Sequence, residues 1–199
     1  MGSSNSSQSD GASPRTPDGV VVYAIGDVHG RADLLRALLT GIECDAALRP
    51  HARPVLVFLG DYVDRGPDSK AVIERLALGA PATGPLAGAG WIALRGNHED
   101  LLLAFLDQAD KGRVWRANGG LDTLRSYLGD LPPLDSEALR LPFERALPKA
   151  HRRFLESLAL THREGDYLFV HAGLRPGIAL TDQRPEDLMW IRDQTSVRK

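Results

Sequence analysis

The chain has 199 residues, a formal net charge of −2 at pH 7, and 43% hydrophobic and 25% charged residues. These values are typical of a globular domain with a sizeable core, and they disfavour a dedicated nucleic-acid-binding protein, which would carry a strong basic excess. No segment approaches the roughly 18 apolar residues of a membrane span, and the single cysteine cannot form an internal disulfide, which favours a reducing, cytoplasmic setting.

The first 19 residues differ in composition from the rest of the chain. They consist mainly of Ser, Asn, Asp, Gly and Pro, with no apolar run. Such a segment buries too little surface to offset the entropy of ordering it. We therefore predict a disordered leader over residues 1–19, followed by one domain over residues 20–199.

Four short apolar segments predict buried strands. They are rich in β-branched or aromatic residues, which is typical of strands inside a layered α/β sheet. These segments are residues 20–25, 55–59, 91–94 and 167–170. Helical spacing of apolar residues follows over residues 31–43, after Pro67, over 100–110 and over 143–158. The alternation of strands and helices, with a helical insertion before the last strand, predicts an α/β sheet flanked by helices.

Each predicted strand ends in a short polar motif. The motifs are Gly26-Asp27-Val28-His29-Gly30, Gly60-Asp61-Tyr62-Val63-Asp64-Arg65-Gly66, Gly96-Asn97-His98-Glu99 and His171-Ala172-Gly173. Ligands bind α/β sheets outside the carboxyl ends of the strands. We therefore expect the carboxylate, imidazole and amide side chains of these motifs to meet at one edge of the sheet.

These residue types in this arrangement point to two metal ions. Asp27 and His29 alternate on an extended segment, so both side chains can turn toward one ion. Asp61 is the natural bridge between two ions, while Asn97 and His171 offer an amide oxygen and an imidazole to the second. Mixed oxygen and nitrogen ligands suit Mn, Fe or Zn better than Ca. Two such ions clamp a phosphoryl group and lower the pKa of a bound water.

Together the motifs resemble the signature of the phosphoprotein phosphatase family of calcineurin-like metallophosphoesterases, over about residues 20–192. The branch with the greatest similarity is that of the bacterial and phage-type serine/threonine phosphatases. The symmetrical diadenosine tetraphosphate hydrolases share the same signature. The resemblance implies the family's layered sheet sandwich flanked by helices.

The resemblance also implies roles for individual residues. The first metal ion would take Asp27, His29 and Asp61. The second would take Asp61, Asn97 and His171. Two divalent ions are implied, with Mn favoured and Fe or Zn as alternatives.

Four further residues match catalytic positions of the family. His98 would protonate the leaving group, oriented by Asp64, and we expect it to face away from Asn97 along an extended stretch. Arg65 and Arg192 would bind phosphate oxygens. For Arg65 the alternative is a structural ion pair with Asp64 or Asp68.

A short Asn-Gly-Gly sequence at residues 118–120 resembles a stretch of the bacterial branch. It is explained equally well as an active-site loop or as a turn between two helices.

The chain departs from the family pattern at its C-terminal end. The family carries a further metal-binding histidine in a Gly-His-Thr type motif, together with closing strands, but here no histidine follows His171 and the sequence stops at Lys199. We therefore expect a fold that lacks the last strands of the family, a weaker second metal site and an exposed sheet edge.

The expected function is metal-dependent hydrolysis of phosphomonoesters, with a phosphoserine or phosphothreonine protein as substrate and a metal-bridging hydroxide as nucleophile. The first alternative is symmetrical hydrolysis of diadenosine tetraphosphate. The second is a catalytically impaired module that binds phosphate or a partner. The expected partners are a phosphorylated protein or a small phosphoester, with no nucleic acid and no membrane span.

Overall fold

The computed structural model of the protein describes residues 13–131 and 138–192. Residues 1–12 of the predicted leader and 193–199 of the predicted domain lie outside the described residues. Five strands are present: β1 (Val20–Ile25), β2 (Arg53–Phe58), β3 (Gly90–Ala93), β4 (Thr161–Glu164) and β5 (Tyr167–Val170). Eight α-helices accompany them in the described ranges: α1 (Ala32–Ala47), α2 (Ser69–Ala77), α3 (Asn97–Asp107), α4 (Gly112–Ala117), α5 (Gly120–Leu128), α6 (Arg140–Ala146), α7 (Lys149–Glu156) and α8 (Pro185–Trp190).

Strands β1, β2 and β3 form a parallel sheet in that order. Val22 lies opposite Val55, and Val57 lies opposite Ile92. The central strand β2 is fully buried from Val55 to Phe58 because both of its faces are covered. The predicted α/β sheet is confirmed, and the first three of the four predicted strands form it, each found to within two residues.

The main core lies on one face of this sheet. It is formed by apolar residues that recur at helical spacing on α1, α2 and α3, together with aromatic residues of the later helices. The fully buried aromatic members are Phe58, Tyr62, Phe105, Trp115 and Phe143. A smaller cluster on the other face contains Val55, Val57 and Leu94, with Phe169 of β5 packed against it.

The helix predicted over residues 143–158 is divided into α6 and α7. Leu147 is extended, with ψ of 114°, and Pro148 has ψ of 142° at the start of α7. A residue before proline is driven out of the helical conformation by the proline ring, so the helix ends there. The continuous helix of the sequence analysis was therefore wrong at this point.

The last strand does not extend the parallel sheet. β5 pairs antiparallel with β4, a strand that the sequence analysis missed. The β4 sequence Thr-His-Arg-Glu is polar, so it lacks the apolar pattern of a buried strand. Two residues before β4, Ala159 forms an isolated parallel bridge with Leu94, which places this part of the chain at the edge of the parallel sheet next to β3.

Residues 13–19 pack against this hairpin. The amide of Arg15 donates to the Asp166 carboxylate over 3.0 Å, and the Tyr167 hydroxyl donates to the Pro14 carbonyl over 3.1 Å. The disordered leader predicted over residues 1–19 therefore extends too far toward the domain. Within the described ranges, no helix has the length and apolar character needed to cross a membrane.

Candidate metal centre

The polar motifs converge at the carboxyl edge of the parallel sheet. Two groups of side chains place their ligand atoms within 4.8 Å of one another. One contains His29, Asp61 and His98, and the other contains Asp27, Asp61 and His171. Asp61 belongs to both groups, as a bridging ligand would. Asp27 and His29, which were predicted to share an ion, approach to 3.8 Å between a carboxylate oxygen and Nε2, although neither group contains both residues.

The Asp61 carboxylate lies between two imidazoles. Its Oδ2 is 3.7 Å from Nε2 of His29, and its Oδ1 is 3.4 Å from Nε2 of His171. The side chain of Asp61 is 6% exposed. Each carboxylate oxygen therefore faces its own histidine from a buried position.

Backbone carbonyls fix the orientation of both histidines. Nδ1 of His29 lies 2.9 Å from the Val63 carbonyl, and Nδ1 of His171 lies 2.8 Å from the Leu59 carbonyl. A carbonyl only accepts, so Nδ1 carries a proton in each ring, and in the neutral imidazole Nε2 is then the nitrogen with the lone pair. This is the arrangement by which proteins orient metal-binding histidines.

The second half of the site brings together groups that are all acceptors when the His171 ring is neutral. Nε2 of His171 lies 3.0 Å from Oδ1 of Asn97, and both are near the Asp61 carboxylate. A lone pair, an amide oxygen and a carboxylate oxygen repel one another unless a cation lies among them. The carboxylate, imidazole and amide donors therefore fit divalent metal ions of the Mn, Fe or Zn type.

The third motif lies on a helix and not on an extended stretch. Asn97 is the first residue of α3, and Glu99 accepts a hydrogen bond from the Gly96 amide over 3.0 Å. A glutamate three residues after the N-cap favours a helix start. The side chains of Asn97 and His98 therefore point in different directions because successive residues of a helix are rotated about its axis. The extended stretch expected from the sequence was wrong.

Glu99 ties this helix to the loop that carries Asp61. Its carboxylate also accepts from the amides of Asp61, Tyr62 and Val63 over 2.7–3.2 Å. Burial and the charge of Asp61 raise the pKa of Glu99 to about 7, against the effect of these hydrogen bonds. Glu99 therefore shapes the loop and does not face the metal site.

The rim is built from strained backbone. Four residues other than glycine adopt the left-handed conformation, with φ of 42° at His29, 55° at Asp61, 72° at Asp64 and 67° at Arg65. The loops also approach closely, since a Cβ added to Gly96 would collide with the carboxylate of Asp61. This glycine is required for the second and third motifs to meet.

His98 and Asp64 form a buried pair next to the metal site. Nδ1 of His98 donates to Oδ2 of Asp64 over 2.7 Å, and the two side chains are 1% and 0% exposed. Burial lowers the pKa of His98, but the hydrogen bond to Asp64 and the charges of Asp61 and Asp64 outweigh it, so the pKa lies above its usual value. Nε2 of the ring lies on the cleft side, 3.9 Å from Asp61.

Arg65 contacts both imidazoles of the first group. Its guanidinium donates to Nε2 of His29 and to Nε2 of His98, each over 2.9 Å. Its hydrogen bonds in the described residues therefore go to the site and not to Asp64. Arg192 lines the same cleft, which has a volume of about 220 Å³ and also includes Met189 and Trp190.

The Asn-Gly-Gly sequence at residues 118–120 is a turn that contacts the site. Gly119 has φ of 105°, and its carbonyl accepts from the Arg65 amide over 3.3 Å. A Cβ on Gly120 would collide with the ring of Trp115. The turn therefore allows α4 and α5 to pack against the second motif.

Two residues that the sequence analysis did not assign to the site contact Asp64. Trp115 and Thr123 both donate hydrogen bonds to its carboxylate. The one signal in the sequence is general: a buried tryptophan needs an acceptor for its indole N–H. It does not say which acceptor.

Relatives of the chain carry two different names. A "Bis(5'-nucleosyl)-tetraphosphatase, symmetrical" from Acidovorax sp. strain JS42 is 34% identical over 157 residues, which is 79% of this chain and 45% of that protein. The protein of the same name from Methylococcus capsulatus is 33% identical over 158 residues. "Serine/threonine-protein phosphatase 2" of Escherichia coli K12 is 29% identical over 100 residues, or 50% of this chain and 38% of that protein.

The chain spans about half the length of the curated relatives that it matches. Among solved structures, one assigned provisionally as a diadenosine tetraphosphatase superposes with a TM-score of 0.50 at 22% identity, over 85% of this chain and 61% of that one. This likeness supports the fold. The model of the family described as "Calcineurin-like phosphoesterase" matches residues 20–199. The chain belongs to the calcineurin-like phosphoesterase family.

Proposed function

We propose that the cleft hydrolyses phosphoesters with the help of two divalent metal ions. The ions would be held by the five predicted ligands, which are Asp27, His29, Asp61, Asn97 and His171. The observation that carries the proposal is the buried Asp61 carboxylate, whose two oxygens face two imidazoles with their Nε2 lone pairs turned inward.

When bound, the metal ions would supply charge that neutralises the phosphoryl group and lowers the pKa of a water. His98 would donate a proton from Nε2 to the leaving oxygen, because its Nδ1 proton is already held by Asp64. Nε2 would take up this proton once the Arg65 guanidinium, which donates to it in the structure, turns to the phosphoryl group. The raised pKa of His98 favours the protonated ring that this role requires. Asp64 would act by holding the ring in place.

Arg65 and Arg192 would bind the phosphoryl oxygens. A guanidinium donates two parallel hydrogen bonds and keeps its charge as negative charge develops. Arg65 reaches the centre of the site, and Arg192 lies at the wall of the cleft. The two residues would approach the phosphoryl group from different sides.

For the substrate, we favour a dinucleoside polyphosphate. The relatives from Acidovorax and Methylococcus are named for this substrate class, and their similarity extends over 79% of the chain. Symmetrical cleavage of diadenosine tetraphosphate would yield two molecules of ADP.

A phosphoserine or phosphothreonine protein is the second candidate. The Escherichia coli relative carries that name, although its similarity covers half of the chain. The buried pair of His98 and Asp64 favours this candidate independently. A seryl alkoxide is strongly basic and needs a proton donor more than the phosphate leaving group of a dinucleotide does.

Product analysis tests the proposal. The protein is incubated with Mn²⁺ and either diadenosine tetraphosphate or a phosphoserine peptide, with EDTA as the control. Two ADP per dinucleotide support the first substrate, and release of phosphate from the peptide supports the second. Binding of metal without turnover of either substrate would contradict the proposal and would favour a non-catalytic binding module. Repeating the assay with Fe²⁺ and Zn²⁺ identifies the effective metal.

A further inference from the structure

We infer that Trp115 and Thr123 are positioning residues that hold the Asp64 carboxylate, and through it His98, in the geometry for proton donation. The inference rests on the proposed function, because it concerns the proton that His98 would deliver. It assigns a role in the reaction to the helices α4 and α5, which carry none of the four sequence motifs.

Three side chains donate to the Asp64 carboxylate. The indole Nε1 of Trp115 lies 2.9 Å from Oδ2 and 3.1 Å from Oδ1. The hydroxyl of Thr123 donates to Oδ1 over 2.7 Å, and Nδ1 of His98 donates to Oδ2 over 2.7 Å. Asp64 is 0% exposed, so these donors replace water as the partners of its charge.

The direction of the Thr123 hydroxyl is determined by its other contacts. The Asp64 amide donates to Oγ1 of Thr123 over 2.8 Å, and Oγ of Ser69 lies 3.0 Å away. A carboxylate has no proton to offer, so the single hydroxyl proton of Thr123 points to Asp64. Thr123 therefore fixes both the backbone and the side chain of Asp64.

The indole ring of Trp115 is fixed in position by the residues packed around it. Its ring lies 4.9 Å from the ring of Phe105 and 5.8 Å from that of Phe143, measured between centroids. The backbone of Gly120 lies against the indole ring, and a Cβ at this position would collide with the ring. The indole N–H therefore has one available direction, toward Asp64.

The proton transfer explains why this support matters. In the proposed reaction a water oxygen forms a bond to phosphorus, and its proton is released to solvent. The bond from phosphorus to the leaving oxygen breaks, its electron pair stays on that oxygen, and the oxygen takes the proton from Nε2 of His98. Asp64 remains a carboxylate throughout. If Asp64 turned, Nδ1 of His98 would lose its acceptor, and Nε2 would no longer be aimed at the leaving oxygen.

The test compares two esters that differ in their need for a proton. Phenyl phosphate releases a phenolate as basic as tyrosinate, with a pKa of about 10, whereas the p-nitrophenolate of p-nitrophenyl phosphate leaves without protonation. In Trp115→Phe and Thr123→Val, kcat for phenyl phosphate should fall about tenfold, the value of one hydrogen bond to a charged group. The kcat for p-nitrophenyl phosphate and both KM values should stay close to those of the wild type.

Matched variants separate positioning from packing. Thr123→Ser keeps the hydroxyl and should restore the wild-type ratio of the two rates. Phe143→Leu disturbs the same aromatic cluster without a bond to Asp64, so it should lower the melting temperature and leave the ratio unchanged. His98→Asn should show the full loss on phenyl phosphate and sets the scale.

A second measurement does not depend on turnover or on metal. The proton on Nδ1 of His98 should give a strongly downfield NMR signal in the metal-free protein, which shifts upfield in Thr123→Val and returns in Thr123→Ser. Should Thr123→Val lower both ester rates equally and leave this signal in place, the inference is overturned. Absence of any hydrolysis by the wild type, with the NMR shifts as expected, would instead overturn the proposed function.

Discussion

The two sides of the cleft are built in opposite ways. On the proton-donor side, Asp64 and His98 are almost completely buried, and Asp64 has three side-chain donors. On the metal side, the Asp27 side chain is 56% exposed, and Asn97 and His171 face each other as acceptors. The fold therefore completes the first side by itself, whereas in the proposed function the second side would be completed by a cation.

The largest effect expected from this difference is at the metal side. Asp61→Asn removes the charge shared by both ligand groups. We expect activity to fall by more than about 100-fold, because losing a direct metal ligand should cost more than losing a residue that only hydrogen-bonds to a ligand. Calorimetric titration with Mn²⁺ should show weakened binding as well. Asp107→Asn, which removes a carboxylate that is 71% exposed and outside the cleft, is the matched control. Retained metal binding and turnover in Asp61→Asn would remove the basis of the two-metal proposal.

A change on the proton-donor side should separate the two substrates. His98→Asn removes the donor but none of the five proposed ligands, so Mn²⁺ affinity should be retained. We expect a loss on the order of 100-fold with a phosphoserine peptide, because the alkoxide needs a proton, and a smaller loss with diadenosine tetraphosphate. Equal losses on both substrates, measured as kcat, would argue against the role of His98.

A smaller effect is expected at the wall of the cleft. Arg192 is exposed, so its bonds to a phosphoryl group are partly screened by water. Arg192→Ala should raise KM by about tenfold, which corresponds to about 1.4 kcal/mol. Arg192→Lys keeps the charge but not the two parallel donors, and it should recover part of the loss. Unchanged kinetics in Arg192→Ala would exclude a role in substrate binding.

The last change is at the turn between α4 and α5, and its expected effect is measured as stability. Gly120→Ala places a Cβ against the Trp115 ring and should cost about 1–3 kcal/mol in the free energy of unfolding. For a domain of this size, each kcal/mol lowers the melting temperature by about 2–4 °C. Calorimetry measures this shift. Gly129→Ala, which meets no atom within 4 Å but has φ of 76°, separates backbone strain from the collision.

The residues at the carboxyl edge of the sheet could be predicted from the sequence, because the apolar strand pattern and the position of the polar motifs point to the same place. Apolar, β-branched runs mark β1 and β2, and the polar motifs follow directly after them. The convergence of Asp27 and Asp61 then follows from parallel topology, whereas His171 follows β5, which lies outside the parallel sheet. The roles of these residues in catalysis remain predictions.

The residues that support the site could not be predicted in the same way. Trp115 and Thr123 lie 51 and 59 positions from Asp64, and nothing in their local pattern names that partner. The helical start at Asn97 was missed because its cause, the bond from Gly96 to Glu99, becomes visible only in three dimensions. These features depend on hydrogen bonds between residues that are brought together only by the fold. The spacing of apolar residues in the sequence indicates local secondary structure and not such partners.

The left-handed backbone at His29, Asp61, Asp64 and Arg65 has a consequence for laboratory evolution of this protein. Each such residue costs about 1–3 kcal/mol, which a glycine would avoid. A library selected for heat resistance alone should therefore accumulate glycine at these four positions and lose the side chains of the proposed site as it gains melting temperature. Selection that alternates heat challenge with the proposed turnover would be needed to improve stability while keeping those side chains.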